Sequence, residues 1–156
     1  MTDICRPQHA VDLPDAGRGT CCMGAAVYGP DRCTCWEPVY DLDQQPLRPG
    51  LPLPPDPLAM CGDCAYRPKS PERQGEAGYA GDEDLLEDLV TSGTPFYCHA
   101  GVRRAVTLRH PAGVEIAAHP GAYDPPVLDS VPYKADGTPA TLCGGWLLLR
   151  AKAATS

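Results

Sequence analysis

Four of the nine cysteines in this chain stand at spacings that suit a metal site. Cys61 and Cys64 form a Cys-x-x-Cys pair, Cys98 opens a Cys-His dipeptide, and Cys143 precedes Gly-Gly-Trp. The two-residue interval lets both thiolates of the pair approach one ion from a tight turn, and two later cysteines complete a tetrahedral set. The sequence therefore predicts that Cys61, Cys64, Cys98 and Cys143 bind one metal ion.

The residues around these thiols limit the kinds of chemistry that the cysteines can perform. Pro68 and Pro71 follow Cys64 closely, so no long helix begins there, and a thioredoxin-like redox site at a helix N-terminus is disfavoured. Cys98 and His99 are neighbours, and neighbouring side chains on a strand point to opposite faces. They are therefore not expected to act together as a nucleophile and its base. We take Cys98 as the ligand and keep His99 as the alternative.

Cys143 lies where we predict the start of a C-terminal helix, residues 142–153. The positive end of the helix dipole stabilises a thiolate there. The two glycines that follow, Gly144 and Gly145, allow the backbone to approach the site closely and to donate hydrogen bonds to sulfur. We expect Trp146 to pack in the core.

A second group of cysteines precedes these four. It consists of Cys21, Cys22, Cys33 and Cys35. Adjacent cysteines and a Cys-x-Cys pair occur in metal clusters, but this spacing is less specific than Cys-x-x-Cys. The alternatives are that only one pair binds metal, or that these thiols are small buried apolar side chains. His9 is a candidate for a missing ligand of this second site. Nine cysteines thus divide into two groups of four, with one left over.

Two further histidines receive no role from the sequence. His110 and His119 each precede a proline, and histidines in that context are more often turn residues than ligands. The basic residues nearby, Arg103, Arg104 and Arg109, are expected to form solvated charge at a strand edge.

The composition predicts a thin core. The chain contains 16 glycines and 19 prolines in 156 residues, and Phe96 is the only phenylalanine. Glycine and proline at this level leave little apolar surface for burial. A structural metal can supply the missing folding energy, since zinc binding contributes on the order of 10 kcal/mol in small domains.

Charge and cysteine content limit the class of protein. The net charge is −7, which disfavours non-specific binding to nucleic acid. The N-terminal residues contain no apolar segment typical of a signal peptide, and no apolar run reaches the roughly 18 residues of a membrane span. We therefore expect a cytoplasmic protein, whose reduced thiols favour metal binding over disulfides.

The patterning predicts a small, loop-rich α+β fold with short strands, a central helix and a C-terminal helix. The central helix spans 82–92, with Asp82 as its N-cap and Gly93 as its stop. Residues 36–40 form a short edge strand, and residues 104–110 and 114–118 form a hairpin.

The same patterning suggests three segments along the chain. We expect a cysteine-containing segment at 1–43 with the second candidate metal site, a proline-rich linker at 44–57, and a metal-binding domain at 58–156. The six prolines of the linker hold an extended or polyproline II backbone. The alternative is that its leucines pack it along the domain surface.

Three short motifs together resemble a known cysteine-rich family. They are Cys-x-x-Cys-Ala-Tyr-Arg at 61–67, Phe-Tyr-Cys-His at 96–99, and Cys-Gly-Gly-Trp at 143–146. The chain resembles, over residues 58–150, a family of actinobacteria and their phages that has no established activity. Ala65 replaces a proline frequent in that family's pattern. The resemblance implies that Cys61, Cys64, Cys98 and Cys143 act as one group.

These observations favour a binding protein over an enzyme. Four thiolates close the coordination sphere of zinc and leave no position for a substrate, so we expect a zinc-stabilised module that binds a protein partner. The alternative is an iron–sulfur protein for redox sensing or electron transfer, since four cysteines also suit a [4Fe–4S] cluster. A metalloenzyme with His99 or water as the fourth ligand would need a general base, and no His-x-Glu or comparable motif is present.

Overall fold

The computed structural model describes residues 33–79, 82–111 and 113–156. The strands are β1 (Glu37–Tyr40), β2 (Ala105–Arg109), β3 (Glu115–Ala117), β4 (Val127–Leu128) and β5 (Val131–Pro132), and the helices are α1 (Glu83–Ser92) and α2 (Gly144–Ala154). The fold is therefore a small α+β fold, as the sequence predicts. Among the described residues, no helix is long and apolar enough to cross a membrane. Cys21 and Cys22 lie outside the described residues.

The chain divides into two compact units, each discontinuous in sequence. The described part of the first unit is 33–41, 104–111 and 113–122, and the second unit is Leu42–Arg103 with Tyr123–Ser156. The proline-rich residues 44–57 belong to the second unit in this division, and 104–122 belong to the first. The segment boundaries predicted from the sequence differ from this division of the chain. They stay a prediction, which measuring the stability of fragments would test.

The first unit contains an antiparallel sheet in the order β1-β2-β3. β1 pairs with β2 from Glu37 opposite Arg109 to Tyr40 opposite Ala105, with an irregularity after Val39. Pro38 lacks an N–H group, and β1 tolerates it because β1 is an edge strand. The β2–β3 hairpin and the edge position of β1 agree with the sequence prediction.

The second unit contains the two helices and the larger core. The Asp82 carboxylate accepts a hydrogen bond from the Leu85 N–H, and Gly93 ends α1 in the left-handed conformation. The buried core consists of Cys64, Ala65, Tyr66, Leu86, Val90, Cys143 and Trp146. The Trp146 indole N–H donates to the Leu89 carbonyl at 3.1 Å, which fastens α2 to the end of α1.

The proline-rich residues run along the second unit and are held to it by backbone hydrogen bonds. The N–H groups of Gln45 and Arg48 donate to the carbonyls of Ala135 and Gly137, at 2.7 and 2.8 Å. The Leu53 carbonyl accepts from the Leu142 N–H at 2.9 Å. These contacts correspond to the alternative in which the proline run packs along the domain surface.

Candidate metal centres

Three side chains of the first unit converge on one point. The ligand atoms of Cys33, Cys35 and His110 all lie within 4.8 Å of one another. The Cys33 sulfur and the His110 Nε2 are 3.8 Å apart. Zinc–sulfur and zinc–nitrogen bonds place two ligands of a tetrahedral ion roughly 3.5 Å from each other. These three residues can therefore hold a metal ion with little rearrangement.

The register of the sheet explains why these side chains meet. Glu37 lies opposite Arg109 in the β1–β2 pair, so the chain entering β1 runs beside the chain leaving β2. Cys35 stands two residues before Glu37, and His110 directly follows Arg109. The antiparallel pairing thus brings the Cys-x-Cys pair to the histidine.

His110 is a correction to the sequence analysis, which gave it no role. It is 7 % exposed, and its ring makes an edge contact with Trp36 at 5.0 Å between centroids. Its N–H donates to the Val114 carbonyl, and its own carbonyl accepts from the Gly113 N–H. The histidine is therefore both a turn residue and a candidate ligand. No local signal separates those two roles, since only the pairing of β1 with β2 places Cys33 beside it.

Cys64 and Cys143, two of the four cysteines around the Cys-x-x-Cys pair, lie together in the core of the second unit. Their sulfur atoms are 3.6 Å apart and hydrogen-bonded, and both residues are almost fully buried. All six cysteines of the described residues are free thiols. The distance is close to the roughly 3.8 Å that separates two thiolates on one tetrahedral zinc ion.

Turns position the Cys61–Cys64 pair. The Cys64 N–H donates to the Cys61 carbonyl, and the Arg67 N–H donates to the Cys64 carbonyl. The Arg67 side chain folds back to donate to the carbonyls of Cys61 and Met60, at 2.7 and 3.3 Å. The arginine of the Cys-x-x-Cys-Ala-Tyr-Arg motif therefore stabilises the turn that carries both thiols.

A single bridge between two segments positions Cys98 relative to Cys143. Tyr97 pairs with Leu142 in an isolated antiparallel bridge. The Cys98 N–H donates to the Thr141 carbonyl, and the Cys143 N–H donates to the Phe96 carbonyl, both at 2.8 Å. This one bridge places the two cysteine segments side by side.

The pKa values of the thiols reflect their proximity. The hydrogen bond from Cys143 lowers the pKa of Cys64 to about 6 and raises the pKa of Cys143, because the pair holds one proton between two sulfurs. The pKa of Cys61 is raised to about 12. Burial is the largest cause, followed by charge repulsion from Cys98 and the hydrogen bond with Asp63.

The backbone around Cys64 also favours a thiolate. The N–H groups of Tyr66 and Gly145 both lower the pKa of Cys64. Gly145 lies so close that a Cβ atom there would stand 2.7 Å from the Cys64 sulfur. A side chain at position 145 would therefore displace the thiol, which gives a physical reason for the glycine of the Cys-Gly-Gly-Trp motif.

His99, kept as an alternative ligand, has other partners in the structure. Its Nε2 atom lies 2.8 Å from an Asp63 carboxylate oxygen, and its ring stacks on Tyr123 at 4.6 Å between centroids. The hydrogen bond from His99 lowers the pKa of Asp63. Because Asp63 lies between Cys61 and Cys64, the histidine links the Cys98 segment to the Cys-x-x-Cys turn. Whether His99 ever replaces a thiol stays a prediction.

The described cavity of the second unit is not formed by its cysteines. A cavity of about 320 Å³ in the second unit lies among the ends of α1 and α2. Arg73, Glu87 and Lys152 contribute to its lining, and no cysteine lines it. Cys64 and Cys143 are enclosed by core side chains. A metal at those two thiols would therefore be screened from solvent on that side.

The comparisons with known proteins give no family to which these sites can be referred, because no family model, no curated protein and no solved structure matches the chain. The metal sites are therefore judged on geometry alone, and the binding of one ion by Cys61, Cys64, Cys98 and Cys143 stays a prediction. That geometry supports a Cys/His metal-binding group in the first unit.

Proposed function

We propose that this chain is a non-enzymatic protein-binding module whose two units are stabilised by zinc. The observation that carries the proposal is the convergence of Cys33, Cys35 and His110 within 4.8 Å of one another. A metal there would fasten β1 to the end of β2. Because a site of this kind does not exist in the unfolded chain, its binding free energy becomes folding free energy.

Zinc is the metal that fits these donors best. Four thiolates form a ligand set of structural zinc directly, and two thiolates with one imidazole form one when a fourth thiolate or imidazole joins them. Cys61, Cys64, Cys98 and Cys143 are proposed as the second set, supported by the 3.6 Å distance between the sulfurs of Cys64 and Cys143. Reduced thiols of this kind persist in the cytoplasm, where we propose that the protein acts.

The first set has room for one further ligand. Three protein donors leave one position of a tetrahedral ion unassigned. The prediction from the sequence that Cys21 and Cys22 belong to this group stays open. Single Cys→Ser variants at those two positions would show whether either holds the metal.

An iron–sulfur cluster at the four thiols of the second unit is the second candidate. Four cysteine thiolates are the ligand set of such a cluster, and the N–H groups of Tyr66 and Gly145 beside the Cys64 sulfur would tune its potential. Protein purified without oxygen would be brown with a cluster and colourless with zinc. On the resemblance to a family of actinobacteria and their phages, we further propose that the chain is an accessory protein of such a bacterium or phage.

An enzymatic role is the weaker alternative. The Asp63–His99 pair has the geometry of a carboxylate that orients a base. The Asp63 side chain, however, is 75 % exposed, whereas catalytic pairs act in sites that exclude water. Four thiolates on one ion would also leave no position for a reacting water.

Metal content measured on single variants tests the proposal. Elemental analysis and native mass spectrometry of protein purified without chelator should give two zinc ions per chain. Cys33→Ser and Cys64→Ser should each remove one of them. Cys5→Ser, which changes the cysteine outside both groups, should remove none. A folded chain with no metal would overturn the proposal.

A further inference from the structure

Exposed leucines are concentrated in the proline-rich run. We call residues 51–58 the proline strap. Leu51 is 85 % exposed, Leu53 69 % and Leu58 48 %, and Leu51 is the most exposed of the large hydrophobic side chains of the described residues. Single exposed apolar residues are ordinary on protein surfaces, but three within eight residues form a local apolar surface.

The strap is fixed in place before any partner arrives. The Leu53 carbonyl accepts from the Leu142 N–H at 2.9 Å, and just before the strap the Gly50 N–H donates to the Tyr133 hydroxyl at 3.4 Å. Leu51 and Leu53 each precede a proline, which restricts both to extended or polyproline II backbone. A partner would therefore bind without the entropy cost of ordering this segment.

The chemistry of the strap excludes some partners. Four of its eight residues are prolines and have no N–H group, so it cannot add a regular strand to another sheet. The strap also contains the exposed Asp56, and the chain carries a net charge of −7. An anionic lipid surface would repel both the Asp56 carboxylate and the negatively charged chain as a whole.

We propose that the strap is the ligand for a partner protein whose groove is lined by aromatic side chains and flanked by basic ones. This inference rests on the proposed protein-binding function and names the surface and the partner class. Aromatic grooves bind proline-rich segments by accepting the residues between prolines, and here those residues include Leu51 and Leu53. The basic flank would meet Asp56. The contact is small, so affinity on the order of 10–100 μM is expected.

Nuclear magnetic resonance on the full-length, metal-loaded chain tests the proposal. The probes are purified SH3, WW and EVH1 domains, which carry aromatic grooves of this type. At least one should shift the methyl resonances of Leu51 and Leu53 saturably. The double variant Leu51→Ser/Leu53→Ser should weaken that binding at least about tenfold, since two apolar side chains leave the contact. The matched control is Val127→Ser/Leu128→Ser, which changes two exposed apolar residues of β4 and should bind like the parent.

Several results would overturn the proposal. These are no binding by any of the three domains, or equal weakening by both double variants. Self-association that the Leu51→Ser/Leu53→Ser variant abolishes would assign the surface to a second copy of the chain. Binding of the strap to phosphatidylcholine–phosphatidylglycerol vesicles would assign it to lipid.

Metal content on the same samples separates this inference from the proposed function. Two zinc ions with no binding at the strap would reject the partner class and leave the metal centres standing. Binding at the strap by a chain that folds without metal would reject the zinc-stabilised module and leave the strap standing.

Discussion

The two glycines that begin α2 provide the sharpest test of the second unit. A Cβ atom at Gly144 would overlap the Ala59 carbonyl oxygen and lie 2.9 Å from the Ala59 carbonyl carbon. A Cβ atom at Gly145 would lie 2.7 Å from the Cys64 sulfur and 2.9 Å from the Tyr66 Cβ. Real Cβ atoms do not approach other atoms this closely, so either the backbone or the thiol must move.

The expected loss of stability follows from two opposing effects. Overpacking a buried position costs about 1–3 kcal/mol, and the cost at Gly144 lies at the upper end because the obstacle is backbone. Replacing glycine by alanine in a helix returns at most about 1 kcal/mol. We therefore expect Gly144→Ala to destabilise the protein by about 2 kcal/mol or more, which lowers the melting temperature by about 4–8 °C at this chain length.

Gly145→Ala should also weaken metal binding, because the thiol it displaces is a proposed ligand. Gly62→Ala is the matched control, since a Cβ atom at Gly62 meets nothing within 4 Å and should change stability by no more than about 0.5 kcal/mol. Thermal unfolding and zinc competition with a chromogenic chelator measure both effects. If Gly145→Ala behaves like Gly62→Ala in both assays, the close packing of α2 against the thiols is refuted.

Three other predictions concern individual side chains. In metal-free protein, thiolate absorbance should show Cys64 ionising at a pKa of about 6 instead of 9.0. The stability from this shift is present above about pH 9, is lost as pH falls through 6, and should diminish in Cys143→Ala, which moves the ionisation back towards pH 9. His110→Ala should remove the metal of the first unit, whereas His119→Ala should retain it; equal metal content in both variants would contradict the Cys33–Cys35–His110 site. His99→Gln should keep two metals per chain, and loss of one would make His99 a ligand.

Local signals were sufficient for the helices and for the β2–β3 hairpin. Asp82 and Gly93 define the ends of α1 by capping chemistry that depends only on neighbouring residues. The stretch around Pro111 reads as a turn between two strands, and β2 pairs with β3 there. These elements were predictable because each one is encoded by a short, continuous stretch of sequence.

Features that depend on long-range pairing were not predictable. His110 joins Cys33 only through the register of β1 on β2, across 77 residues of sequence. The β4–β5 hairpin turns through Asp129 and Ser130, both with positive φ, at a position where glycine or asparagine is the usual signal. The hydrogen bonds of the proline run also depend on residues 133–142, which no local pattern connects with it.

The two units differ in how much apolar core surrounds their candidate metal ligands. In the described part of the first unit only Cys33, Ala105 and His110 are buried, so two of the three buried residues are themselves candidate ligands. The second unit buries Tyr66, Leu86 and other apolar side chains around its thiols. Since metal binding in small domains contributes on the order of 10 kcal/mol, a metal in the first unit would supply a large share of what holds that sheet together. In the second unit it would reinforce a core that apolar burial already stabilises.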